Sequence, residues 1–75
     1  MNGIKRTSTP NKYDESRTVY TYRKGRRTIC KATERIPTES NNFKYEVIYM
    51  NNLHFVGTLE QVDEVINYYE NLRYA

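Results

Sequence analysis

One stretch of this chain, residues 43–72 (FKYEVIYMNNLHFVGTLEQVDEVINYYENL), changes its hydrophobic period partway along, and that change constrains the fold more than any other feature. Phe43, Tyr45, Val47 and Tyr49 alternate with Lys44, Glu46, Ile48 and Met50, the period of two expected of a strand packed on one face. A second short run follows, Leu53, His54, Phe55, Val56 and Gly57. Beyond it, Leu59, Val62, Val65, Ile66, Tyr69 and Leu72 recur at helical spacing. Thr58 and Gln61 frame a capping box at that switch, with Glu60, Asp63 and Glu64 in the first turns, where the helix dipole favours acids, and Arg73 near the far end. The stretch reads as strand, turn, strand, helix.

Upstream, residues 18–36 (TVYTYRKGRRTICKATERI) are rich in Thr, Val, Tyr and Ile and are broken by Gly25, which marks a hairpin. The whole is therefore expected to be an α+β domain: an antiparallel sheet of three to four strands, at about 18–24, 27–35, 43–49 and 53–57, packed on one C-terminal helix at about 59–73. A polar connection over residues 37–42 joins the hairpins. Residues 1–17 show neither period and are expected to form a flexible basic arm ahead of a single domain over residues 18–75.

Two registers follow from pattern alone. A two-residue loop at Lys24 and Gly25 sets Tyr22 opposite Arg27, Tyr20 opposite Ile29 and Val19 opposite Cys30. Tyr20, Tyr22, Arg27, Ile29 and Lys31 then share one face, and Val19, Thr21, Thr28, Cys30 and Ala32 the other. In the second hairpin a three-residue loop over residues 50–52, with an Asn in the left-handed conformation, pairs Tyr49 with Leu53 and Val47 with Phe55. That gathers Tyr45, Val47, Leu53 and Phe55 against Leu59, Val62, Ile66 and Tyr69 as the core, and it turns Ile48, Met50, His54 and Val56 away from it.

A domain of 75 residues buries only about 60% of the surface its unfolded chain exposes, so a stability of a few kcal/mol is expected unless something staples it. With one cysteine, Cys30, there is no intrachain disulfide, and with one histidine, His54, there is no strong metal-ligand spacing. The lone thiol, the lack of a signal-like apolar run and the lack of about 20 consecutive apolar residues point to a cytoplasmic protein that does not enter a membrane. Gly3, Gly25 and Gly57 are isolated, so no phosphate-binding loop is present. His54 has no neighbouring nucleophile, Cys30 alternates onto an apolar face, and Glu60, Asp63, Glu64 and Glu70 are spaced as a solvated helix face. No catalytic constellation and no cofactor are implied; the chain reads as a binding module.

The net charge of +3 conceals a marked asymmetry. Residues 1–35 hold ten Lys or Arg against three Asp or Glu, while residues 36–75 hold two against six. A basic front and an acidic helix suggest a polyanion or an acidic protein as partner. The candidate surface is Tyr20, Tyr22, Arg23, Lys24, Arg26, Arg27, Lys31 and Arg35, where Arg and Lys meet phosphates and Tyr stacks. Lys5 and Arg6 of the arm, with Ile48, Met50, His54 and Val56 of the second hairpin, form its possible extension.

The run Phe55, Val56, Gly57, Thr58 and Leu59, followed by an amphipathic helix carrying Tyr69, resembles the end of the plant ethylene-response (Apetala-two) DNA-binding domain and of the related N-terminal domains of phage and transposon integrases. That resemblance implies a three-stranded sheet in the DNA major groove with the helix behind it, and it places Arg26 and Arg27 near the reading positions. The chain departs from the plant pattern in having no tryptophan and in offering His54 where basic readers stand. The sequence reading is thus a small module binding duplex DNA. Its rival, from the look of a small phage or mobile-element product, is a protein that binds and inhibits an acidic host protein such as a nuclease or polymerase.

Overall fold

A computed structural model describes residues 3–73 of the chain. Five antiparallel strands, β1 (Ile4–Pro10), β2 (Thr18–Lys24), β3 (Arg27–Glu34), β4 (Tyr45–Tyr49) and β5 (Asn52–Val56), form one open sheet in the order of the chain, and a single helix, α1 (Leu59–Arg73), follows. The class is the expected α+β, with one strand more than the sequence suggested. The additional strand is β1, within the stretch expected to be an arm. Six of its seven residues are exposed, so no alternation marked it in the sequence, yet it pairs with β2 along its whole length, from Ile4 opposite Lys24 to Pro10 opposite Thr18. Residues 11–17 turn the chain back: the Asn11 N–H donates to the Arg17 carbonyl at 2.9 Å, and Arg17 pairs with Asp14 at 3.2 Å.

The helix is capped by Thr58 as expected, with the reciprocal bond of the capping box displaced by one residue to Gly57. The Gln61 N–H donates to Thr58 Oγ1 at 3.1 Å, and Gln61 Oε1 accepts from the Gly57 N–H at 2.8 Å. From there α1 lies mainly across β4 and β5, burying Val62 and Ile66 completely against Tyr45, Val47 and Tyr49. Leu72, expected on this face, is exposed.

Both hairpin registers differ from the expectation, each for an identifiable backbone reason. In the first, the two-residue loop is Gly25 and Arg26, with Lys24 opposite Arg27, and Gly25 takes a φ of +61° at the first loop position, as a type II′ turn asks of glycine. That shift alone would keep the expected faces. A β-bulge then falls opposite Tyr22 and Arg23: Arg23 faces Thr28, Tyr22 faces Cys30, and Ile29 is the extra residue. The bulge inverts the alternation beyond it, so Cys30 and Ala32 join Tyr20 and Tyr22 on the helix side while Lys31 falls to the far side with Thr21. Tyr22 and Ala32 are fully buried, and Ile29 and Cys30 nearly so.

The second hairpin turns through Met50 and Asn51, both at positive φ (47° and 70°), the pattern of a type I′ turn. An Asn does take the left-handed conformation, but the loop has two residues. Tyr49 therefore faces Asn52, Val47 faces His54 and Tyr45 faces Val56. His54 and Val56 pack toward the helix, and Leu53 and Phe55 lie on the far side, 52% and 37% exposed. Grouping every large apolar side chain on one face was the wrong criterion, because this sheet is apolar in part on both.

Ile66→Ala is expected to cost about 2–5 kcal/mol, the range for deleting a buried aliphatic side chain, and Thr58→Ala about 1 kcal/mol through loss of the cap. Urea titrations followed by circular dichroism check both. Because total stability is expected to be only a few kcal/mol, the first variant should be largely unfolded in water.

Candidate nucleic-acid interface

The two sides of the sheet divide the basic residues by task. On the helix side, Arg27 follows Lys24 in register and reaches α1, where its guanidinium meets Glu70 Oε1 at 2.8 Å. Glu70 is buried, and its second oxygen accepts a short hydrogen bond from the Tyr49 hydroxyl. Burial opposes the charge on Glu70, but the Tyr49 hydroxyl and the Arg27 guanidinium outweigh it and hold the carboxyl below its ordinary value. Glu70 is thus no part of a solvated helix face: it is a buried anion held by two elements of the sheet. The same charge, added to burial, pushes the Cys30 thiol up to about 12, so Cys30 stays a protonated, inert core residue.

Tyr22, expected on a binding surface, is also core. Burial pushes its phenol up to about 12, with Arg6 of β1 acting against that shift and Asp63 of α1 adding to it. Tyr20 is half-buried on the same side, edge-on to Tyr45 at 6.1 Å and covered by the Arg6 guanidinium 5.8 Å from its ring centre. Arg35 is a clamp as well. One of its terminal nitrogens donates to the carbonyls of Asn41 and Phe43, at 3.2 and 2.6 Å, fixing the connection between β3 and β4, and the guanidinium lies 5.1 Å from the Phe55 ring centre. Tyr20, Tyr22, Arg27 and Arg35 therefore do not form the expected exposed surface; they hold the fold, and Arg6, though exposed, lies on the helix side over Tyr20. His54 and Val56, expected to point away from the core, face the helix instead, with His54 Nε2 2.7 Å from the Tyr69 hydroxyl.

What remains is on the other side. Strand alternation from the buried Tyr22 places Lys5, Arg23 and Thr28 in one row across β1, β2 and β3, since Lys5 faces Arg23 and Arg23 faces Thr28. The next row runs Thr7, Thr21, Lys31, Ile48 and Leu53. Neighbouring strands are about 4.8 Å apart, so Lys5, Arg23 and Lys31 form one cationic group set among threonine hydroxyls. Arg26 is exposed beside it at the β2–β3 turn, while Lys24, also exposed, alternates to the helix side with Tyr22 and Arg27. Toward β5 the face is apolar at Ile48, Leu53 and Phe55 but carries one carboxylate, Glu46, in the row between Thr33 and Phe55, and Met50 stands exposed at the β4–β5 turn. From the original set the structure thus keeps together Arg23, Arg26 and Lys31, with Lys5 and Ile48 from the extension, and puts Lys24 on the helix side. The sequence reading missed the threonines, Leu53 and Phe55, because the parity of each strand depends on a bulge and a turn that pattern does not display.

No group of three or more His, Cys, Asp or Glu side chains among the described residues could hold a metal ion, and no helix among them is long and apolar enough to cross a membrane. Comparison with known proteins finds no matching family model, no similar curated protein and no similar solved structure.

The Glu70 pair carries a pH dependence of known sign. A carboxyl lowered in the folded state stabilises above its unfolded value near 4.5 and loses that contribution as pH falls through the folded value. Urea midpoints measured between about pH 3 and 7 should therefore decline on the acid side, and Glu70→Gln should flatten that limb. Arg27→Met strands the buried carboxylate and is expected to cost about 1–3 kcal/mol at neutral pH, below the figure for a fully buried pair because the Arg27 side chain is 33% exposed.

Proposed function

We propose that this protein binds duplex nucleic acid through the open face of its sheet, with Lys5, Arg23 and Lys31 as the central phosphate contacts and Arg26 at the hairpin tip extending them. The observation that carries this reading is the division of the cations. Arg27 and Arg35 are consumed by a buried carboxylate and by loop carbonyls, whereas Lys5, Arg23 and Lys31 share the one face that no helix covers. The threonines between them supply hydroxyl donors to phosphate oxygens. Ile48, Leu53 and Phe55 offer apolar contact of the kind thymine methyl groups accept. The face lies opposite the helix, the side that the resemblance to the ethylene-response domain implies; Glu60 and Glu64 are on the helix, away from the polyanion, and Glu46 stands at the β4–β5 end of the face, away from Lys5 and Arg23. Binding, with no covalent chemistry, is the whole of the proposed activity.

The apolar end of the face also suits a protein partner, and the inhibitor reading rests on that observation. The two readings part on salt. Phosphate neutralisation releases counterions, so the affinity for labelled duplex DNA should fall with a log–log slope of about −0.9 for each phosphate engaged, and Lys5→Glu, Arg23→Glu and Lys31→Glu should each weaken binding and reduce that slope by about one. No shift of DNA at low salt, together with a stoichiometric protein recovered from nuclease-treated bacterial lysate, overturns the nucleic-acid reading in favour of the inhibitor.

A further inference from the structure

The two edges of the sheet are unlike. The β1 edge carries Lys5, Arg6 and Pro10, residues that discourage another strand from adding to it. The β5 edge, Asn52–Val56, carries no charged residue and no proline, and one side of its backbone has no neighbouring strand. Alongside that undefended edge runs a groove of about 320 Å³ between β5 and α1. His54, Phe55 and Val56 contribute from the strand, Val65 and the exposed Tyr68 from the helix, and Phe43 from the chain ahead of β4. Glu64 is the one carboxylate among the described residues lining it, and no lysine or arginine among them lines it.

An unpaired strand beside a helix, with an apolar trough between them, is the geometry by which sheets capture extended peptides: backbone hydrogen bonds give affinity, and alternate side chains entering the trough give selectivity. We infer that β5 and α1 form a second binding site, which takes an extended peptide segment added as a sixth strand. Its aliphatic side chains enter the groove between Val56 and Val65, and a lysine or arginine reaches Glu64. The charge decides among occupants. A second copy pairing β5 with β5 about a two-fold axis would bring Glu64 of each protomer toward the other, and an acidic segment would meet the same repulsion. A basic, aliphatic segment meets neither. The site lies along the β5 edge and the helix side, shares Phe55 with the proposed nucleic-acid face, and does not depend on that reading.

The probe is a synthetic peptide of about eight residues, enough to span β5, with valine and lysine alternating with threonine. Two companions accompany it: one with glutamate in place of lysine, the other methylated on alternate backbone nitrogens. In NMR titrations of the full chain, the lysine peptide should shift the β5 amides together with Val65 and Tyr68, and slow hydrogen exchange at the outward amides of β5. The glutamate peptide should bind at least about fivefold more weakly, and Glu64→Lys should reverse that order, as expected for one charge pair at a partly exposed site. Methylation on the face that meets β5 should abolish binding. The triple variant of Lys5, Arg23 and Lys31 to glutamate should leave it intact, even if that variant loses DNA. Absence of β5 shifts at millimolar lysine peptide overturns the proposal, as does indifference to backbone methylation or to Glu64→Lys. Concentration-dependent protection of β5 in the protein alone overturns it in favour of a second copy.

Discussion

A single helix serving five strands is the constraint on which the rest of this structure depends. An α-helix with its side chains is about 10 Å across, while five strands spaced about 4.8 Å apart span roughly twice that. Fifteen residues of α1 can therefore seal β4 and β5 and reach toward β3, but cannot roof the sheet. The chain extends its core sideways with rings instead of with a second helix: Tyr22 is fully buried, Tyr20 leans edge-on against Tyr45, Tyr49 stacks on Tyr69 at 4.8 Å, and Arg6 lies over Tyr20. Large amphipathic side chains suit this use, because each covers much area while keeping a polar end where water or a partner is in reach.

Those polar ends are then organised by charge. The Tyr49 hydroxyl and Arg27 converge on Glu70, tying the β3 start and the β4 end to the last turns of α1, far from the capped end that Thr58 and Gln61 secure. The helix is thereby fixed at both ends by different chemistry. Burying Glu70 costs desolvation, so it contributes to the fold only while Arg27 and Tyr49 are present. The same economy explains the far face. With Arg27 paired to a buried carboxylate and Arg35 to a loop, Lys5, Arg23 and Lys31 are the cations that stand exposed on the side the helix does not cover.

The element types were legible before any coordinates because hydrophobic period and punctuation are local. The helix at residues 59–73, its cap, the hairpin around Gly25 and the strands near 18–24, 27–35, 43–49 and 53–57 all follow from spacing within a few residues. β1 was not legible: a strand exposed at six of seven positions shows no alternation, and only its pairing with β2 makes it one. Face assignments were legible in part. Tyr45, Val47, Val62 and Ile66 are core as the pattern indicates, whereas Leu53 and Phe55 exchanged sides with His54 and Val56 because the turn uses Met50 and Asn51.

The sequence by itself determined the inventory: one sheet-plus-helix domain, one capped acidic helix, ten cations in the first 35 residues and one cysteine with no partner. Only the tertiary structure decided which of those cations are available. A single bulged residue, Ile29, inverts the alternation of β3, and with it decides that Lys31 shares a face with Arg23 and Lys5 instead of with the buried Tyr22. The physical reason is the period of two. Every side chain of a strand is assigned by parity, parity is reset by one residue in a turn or bulge, and such a residue is stabilised by packing across strands that the local sequence does not record.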